Sequence, residues 1–174
     1  APSWYEFDVT NLVQTWLSDP SSNQGLLLQA TGTSAVQYYV ASSKYGSTTL
    51  RPKLTIKYQA GPVPTATDTS TPGPTPTATA TPTITPTPET PPTATPTTML
   101  PQVTLQNGLA GYSGATDTYI DAWAETTNYG PNINLALRST NIRSNLIRFD
   151  LATLPASATV SEAKLAVYVT SRTN

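Results

Sequence analysis

Four carboxylates in the last third of the chain are of the residue type that binds hard metal ions. Asp117 and Asp121 stand four residues apart, and Glu125 and Asp150 follow. Because Ca²⁺ takes carboxylate and carbonyl oxygens, Asp117 and Asp121 are the candidate calcium ligands. A structural interpretation stays open, in which the aspartates lie on a solvated strand face and Asp150 pairs with Arg148 or a turn amide.

Three aromatic side chains stand near predicted loops, and their type suits them to sugar binding. They are Tyr112, Trp123 and Tyr129. Sugar binding needs exposed aromatic platforms with polar neighbours, so these are the candidate carbohydrate-binding residues. Packing in the core or in a turn is the alternative role for all three. The aromatics that fall on apolar faces are expected in the core: Trp4, Trp16 and Phe149.

Residues 62–98 consist very largely of Thr and Pro, with a dense array of hydroxyl groups. Pro fixes φ and removes backbone donors, so we expect an extended, polyproline-like linker that spans on the order of 110 Å. It cannot bury enough apolar surface to build a core. The composition is typical of an O-glycosylated stalk, with a bare tether as the alternative. The candidate O-glycosylation sites are Thr65, Thr67, Thr69, Ser70, Thr71, Thr75, Thr77, Thr79, Thr81, Thr83, Thr85, Thr87, Thr90, Thr93, Thr95, Thr97 and Thr98.

The chain lacks two residue types on which much enzyme chemistry depends. It has no Cys and no His. This excludes thiol catalysis, a Ser-His-Asp triad, zinc sites of the Cys/His type and a histidine proton shuttle. Glycoside hydrolysis needs only two carboxylates, but no spacing identifies such a pair. We therefore expect a protein that is not an enzyme and has no cofactor other than Ca²⁺.

The charge and hydropathy patterns exclude further partners. The formal net charge is −1, only 11% of residues are charged and no basic patch stands out. Nucleic acid and anionic membranes are therefore not expected partners. No apolar run has the length of a membrane span. The chain begins without a charged leader, which indicates a processed form or a start within a longer gene.

Short strands with Gly, Pro and Asn turns dominate the predicted elements. A strand at 4–7 leads into one short helix at about 8–17, with Asp8 as its N-cap and one apolar face. The triple Leu within 24–30 predicts a strand buried on both faces. The other predicted strands are 36–42, 53–58, 103–106, 117–123, 134–138, 145–151 and 160–170. This pattern predicts an all-β fold of the β-sandwich or jelly-roll type.

Motifs on both sides of the linker carry a family resemblance. They lie at 7–10, 25–28 and 50–54 before it, and at 117–120, 128–130, 146–151, 154–155 and 163–165 after it. Their order resembles the DNRLRE-type (disaggregatase-related) domain family, which is akin to polysaccharide-binding modules. Residues 100–174 resemble the first half of such a β-sandwich and residues 1–60 the second half, with residues 61–99 as the linker.

A half sandwich exposes unpaired strand edges, so each flank needs a complement. The flanks can pair within one chain, or head-to-tail between chains to give an open filament. The chain can also be one period of a covalent tandem array. We expect an extracellular or cell-surface structural subunit that assembles with itself by inter-chain strand complementation. The alternatives are a glycan-binding carbohydrate-binding module of a multidomain cell-surface or secreted polysaccharide-active protein and, more distantly, a fragment of a polysaccharide-degrading enzyme.

Overall fold

The computed structural model describes residues 1–32, 35–61 and 100–173. The predicted polyproline-like linker and all the candidate O-glycosylation sites lie outside these residues. The described residues before and after the linker belong to one compact unit. The assignment of the two flanks to successive domains stays a prediction. Within the described ranges, no helix is both long and apolar enough to cross a bilayer.

The described residues form an all-β, sandwich-like fold in which a nine-stranded sheet curls on itself. One α-helix, α1 (Thr10–Ser18), follows the first strand, and single 3₁₀ turns lie at Pro20–Ser22 and Thr48–Leu50. The predicted fold class is therefore confirmed for this part of the chain. The strands are β1 (Ser3–Asp8), β2 (Leu26–Leu28), β3 (Gln37–Ala41), β4 (Lys53–Gln59), β5 (Gln102–Leu105), β6 (Ala115–Asp121), β7 (Asn134–Arg138), β8 (Arg143–Phe149) and β9 (Thr159–Thr173).

Strand β9 organises the sheet because three strands from the other flank pair with it. It pairs antiparallel with β1, β3 and β4. Strand β8 likewise pairs with β2 from the N-terminal flank and with β6 from its own flank. In this structure the strands of the two flanks therefore complement each other within one chain.

The inner faces of the strands enclose the core. Along β4 the alternation predicted from sequence is confirmed, because Leu54 and Ile56 are fully buried while Lys57 is exposed. Phe149 of β8 and Leu165 of β9 are buried in the same cluster. A β-strand turns alternate side chains to opposite faces, so each of these strands leaves a second face toward solvent.

Helix α1 packs beside β9 and closes one side of the core. Val13, Trp16 and Leu17 are its buried residues, as the 3.6-residue periodicity predicts. The helix begins at Thr10, so the prediction of Asp8 as N-cap was wrong. The observed N-cap is Val9. Asp8 lies one residue before it, at the end of β1, and accepts a hydrogen bond from the Thr10 amide at 2.9 Å.

Two expectations about burial were also wrong. The triple-Leu strand is β2, which among the described strands pairs only with β8, so it is an edge strand there and Leu27 is 49% exposed. Trp4 lies on the outer face of β1 beside Tyr168 instead of in the core. Apolar character alone does not indicate which face of a strand is covered, because that depends on the neighbouring layer.

Candidate functional site

Trp123 is the most exposed large apolar side chain among the described residues, with 62% of its surface accessible. It lies in the turn that follows β6. Asp121 Oδ1 accepts a hydrogen bond from the Trp123 amide at 3.0 Å, and the Ala122 amide donates to the Ile142 carbonyl at 2.9 Å. These bonds fix the turn, so the indole is presented from an ordered backbone.

Two arginines lie beside the Trp123 ring. The guanidinium carbon of Arg138 is 4.7 Å from the ring centroid and that of Arg143 is 5.5 Å away. Both distances lie within the range for cation–π attraction. The arginines are directly paired where β7 meets β8, in a hairpin whose turn residues Thr140 and Asn141 have φ values of 61° and 58°.

Arg143 is held in place by two side chains from other elements. Its Nε donates to Asp121 Oδ2 at 2.8 Å and its Nη1 donates to Gln37 Oε1 at 2.6 Å. Asp121 is almost fully buried, so loss of Arg143 would leave its carboxylate as an unpaired buried charge. Arg138 differs, because its Nε is buried without a hydrogen-bond partner in the described part of the chain.

A stacked tyrosine pair lies next to this cluster. The rings of Tyr119 and Tyr129 are 4.0 Å apart at an interplanar angle of 20°. Asn132 donates from its amide to the Tyr119 hydroxyl at 3.4 Å, which ties the loop after Tyr129 to β6. Beside the pair is a shallow cavity of about 410 Å³, lined by Tyr39, Tyr119, Pro131, Asn132, Ile133, Asn134 and Ala136.

The electrostatic environment of Tyr119 connects the tyrosine pair to the arginine cluster. Burial raises the pKa of Tyr119, and the neighbouring Tyr129 adds to the rise. Arg143 lowers this pKa while Asp121 raises it, so both side chains lie within electrostatic reach of the ring. Aromatic surface, fixed positive charge and hydrogen-bonding groups therefore occupy the same end of β6.

Sequence reasoning found only part of this site. It identified Trp123 and Tyr129 as binding candidates but not Arg138, Arg143 or Tyr119. The alternation along β6 places Tyr119 on the same face as Asp117 and Asp121, which was a usable signal. The arginines gave no such signal, because their approach to Trp123 depends on how the β7–β8 hairpin meets the turn after β6.

Tyr112, the third aromatic candidate, lies elsewhere. It precedes β6, whereas Trp123 follows it, and six residue steps of strand separate the two ends by about 20 Å. Its hydroxyl donates to the Asp150 carbonyl at 3.0 Å and its ring packs against the core. Burial raises the pKa of Tyr112 to about 12. These contacts are those of a packing residue.

Asp117 is buried and bonded to the segment after β3. It accepts hydrogen bonds from the backbone amide of Ser43 and from its hydroxyl at 3.1 Å, and Lys44 Nζ lies 3.2 Å away. The side chain of Asp117 is fully buried. Neither this aspartate nor Asp121 lies on a solvated face, so that structural interpretation of the pair was wrong.

The calcium site stays a prediction. Asp117 accepts a hydrogen bond from Lys44, whereas Asp121 accepts one from Arg143. The two carboxylates therefore belong to different side-chain clusters. Across the described ranges, no group of three or more acidic side chains is arranged to hold a metal ion. Asp150 accepts a hydrogen bond from the Ala152 amide at 3.0 Å, which is the turn-amide role proposed for it.

Comparison with protein families gives a match in the C-terminal flank. Residues 110–174 match the family described as Carbohydrate-binding module family 96. No curated protein and no solved structure matches the chain significantly. The matched segment covers more than a third of the chain and contains Trp123, both arginines and the tyrosine pair. The C-terminal flank is thus similar to a carbohydrate-binding β-domain, a non-catalytic class, and the likeness to the DNRLRE-type family stays a prediction.

Proposed function

We propose that this chain is a carbohydrate-binding module whose binding surface is the end of the sheet around Trp123. The observation that carries the proposal is a large aromatic ring left mostly exposed on an ordered turn, within a segment similar to a carbohydrate-binding family. Exposed apolar area of this kind marks binding surfaces. The stacked Tyr119–Tyr129 pair extends the aromatic surface.

The charges around Trp123 favour an acidic polysaccharide. Arg138 and Arg143 carry two positive charges near the ring, and Asp121 compensates one of them. A guanidinium binds carboxylate and sulfate oxygens in a fixed geometry. Uronate-bearing or sulfated sugars are therefore the ligand class, with the indole against the sugar face and Arg138 against the acid group.

The remaining expectations accompany this function as proposals. Carbohydrate-binding modules commonly occur in secreted or cell-surface proteins, which agrees with an extracellular location. A Thr/Pro stalk with O-linked sugar suits the same location. Self-assembly into a filament has less support, because strand complementation takes place within the chain and needs no second copy.

Isothermal titration with a uronate oligosaccharide tests the proposal on wild type and on Trp123→Ala. We expect wild type to bind and Trp123→Ala to lose at least about tenfold in affinity, since central aromatic contacts commonly contribute more than about 1.4 kcal/mol. Unfolding should be nearly unchanged, because the ring is mostly in solvent.

Leu109→Ala is the matched control, because Leu109 is an exposed apolar residue outside the site. It should bind as wild type does. Absence of binding to acidic and neutral sugars alike would refute the proposal. Equal affinity of wild type and Trp123→Ala would refute the location of the site.

A further inference from the structure

The outer face of β9 carries a second combination of aromatic and polar side chains, remote from Trp123 in the sheet. Along this strand, Ala163, Leu165 and Val167 are buried in the core. Alternate residues therefore project from the opposite face, where they meet the outer side chains of β1 and β4. These alternate residues are Glu162, Lys164, Ala166 and Tyr168.

Two aromatic rings lie on this otherwise polar face. Trp4 of β1 is the cross-strand partner of Tyr168, and their rings meet edge to face with centroids 5.3 Å apart. Lys53 of β4 places its ammonium group 4.5 Å from the centre of the Trp4 ring. Trp4 is therefore half-buried on this side of the sheet, between Tyr168 and Lys53.

A depression lies beside the aromatic pair, and Ala166, which is only 3% exposed among its longer neighbours, contributes only a methyl group to its floor. The cross-strand partners of Ala166 are Glu6 in β1 on one side and Lys53 in β4 on the other. Two strand spacings separate their backbones by about 10 Å, with only the Ala166 methyl between them. The resulting groove of about 210 Å³ has Ala166 at its floor, and its lining includes Glu6, Lys53, Lys57, Glu162 and Lys164.

The groove is balanced in charge. Glu162 lies between Lys57 and Lys164 and forms an ion pair with each. Hydrogen bonds from Lys164 and then Lys57 lower the pKa of Glu162 to about 2, so this network stays ionised at ordinary pH. Glu6 and Lys53 add one charge of each sign, and Asp8, the cross-strand partner of Lys164, supplies the third carboxylate beside the third lysine. An acidic sugar therefore gains no net attraction here, whereas neutral hydroxyls find both acceptors and donors.

We propose that the outer-face groove over Ala166 is a second saccharide contact, which takes a neutral sugar unit against Trp4 and Tyr168. Glu6 accepts from the sugar hydroxyls and Lys53 donates to them. The inference rests on the proposed function in that both sites bind polysaccharide. It adds a separate surface on another part of the sheet with a different charge preference.

The indole N–H signals of the full chain in ¹⁵N NMR test the two sites separately. The chain has three tryptophans. Trp123 reports the first site, Trp4 reports the outer-face groove, and Trp16 is buried and serves as an internal reference. We expect neutral glucose or mannose oligosaccharides to shift the Trp4 signal, and uronate oligosaccharides to shift the Trp123 signal.

Three variants, one of them a control, locate the Trp4 response. Ala166→Leu fills the depression and should abolish the shift, while Thr104→Leu adds the same side chain elsewhere on this face and should leave it intact. Lys53→Gln should weaken neutral-sugar binding by roughly fivefold without demanding space in the sheet.

The outcomes separate the two proposals. An unmoved Trp4 signal with every neutral sugar, or a Trp4 shift that persists unchanged in Ala166→Leu and Lys53→Gln, overturns the second contact. A Trp123 signal that moves in the same experiments leaves the first site standing. If Trp123 also stays unmoved with uronates, the proposed function fails as well.

Discussion

At the scale of single residues, the three tryptophans show how one residue type takes three roles according to its neighbours. Trp16 lies on the inner face of α1 and is buried. Trp4 lies on the outer face of β1 against Tyr168. Trp123 extends from a turn into solvent beside two arginines. Side-chain type indicates a capacity for sugar stacking, but only exposure and polar neighbours indicate a site.

We expect Asp117 to contribute to the stability of the folded chain. Asp117→Asn replaces an acceptor oxygen with an NH₂ group facing the Ser43 donors and removes the ion pair with Lys44. We expect a loss of about 1–3 kcal/mol in the free energy of unfolding, measured by chemical denaturation. The loss should be equal in calcium and in chelator, because it arises from Ser43 and Lys44. A loss seen only with calcium would instead support the calcium site.

Tyr112 should make the fold sensitive to alkaline pH. Burial raises its pKa from 10.0 to about 12, so the unfolded chain releases this proton before the folded chain does. Its contribution to stability is complete below pH 10 and is lost as pH rises through about 12. Denaturation midpoints of wild type should fall over this window.

The matched variant is Tyr112→Phe, which keeps the ring and removes the ionisable hydroxyl. Its denaturation midpoints should fall less steeply over the same pH range. They should also start lower than those of wild type, because the variant lacks the hydrogen bond to the Asp150 carbonyl. Identical pH profiles for wild type and variant would mean that other groups control the alkaline transition.

At the scale of elements, strands β9 and β2 differ most in length and in how many neighbouring strands they pair with. Strand β9 has fifteen residues and pairs on both sides along Lys164–Ala166, whereas β2 has three residues and pairs on one side. Hydrogen exchange should therefore be slowest at the amides of Lys164–Ala166 and much faster along β2, since exchange follows the cost of local opening. Equal protection of the two strands would contradict the observed pairing.

The alternation in β4 and the periodicity of α1 were sufficient to predict those elements, because each pattern reflects a covered face. The Leu26–Leu28 run led to a wrong prediction of burial on both faces. Three consecutive apolar residues do not show whether a strand has a described neighbour on one side or on both. Trp123 and Tyr129 were identifiable from loop signals. Arg138 and Arg143 were not, because tertiary placement of a hairpin brings them to the Trp123 ring.

At the scale of the whole molecule, both flanks of the linker contribute strands to one sheet. Strands β1 to β4 precede the linker and β5 to β9 follow it, yet β9 lies between β1 and β4. The inner faces of both flanks form a single hydrophobic cluster. Neither flank can bury its apolar face without the other, so they should fold and unfold as one cooperative unit.

Cleavage within the linker tests this unity. A protease site introduced at Gly73 should yield two fragments that co-elute after cutting, because inter-flank strand pairs and core contacts hold them together. Light scattering of the uncut chain should give a monomer mass that does not depend on concentration. Fragments that separate, or a mass that grows with concentration, would restore the inter-chain filament hypothesis.

The most direct test of the central claim is affinity electrophoresis of the wild-type chain through gels that contain acidic or neutral polysaccharides, beside Trp123→Ala and Arg138→Gln. We predict that wild type is retarded by uronate-bearing polysaccharide, that Trp123→Ala migrates freely there, and that Arg138→Gln loses most of its retardation in the acidic gel only. Free migration of the wild type through every polysaccharide, or equal retardation of all three proteins in the acidic gel, would contradict the account.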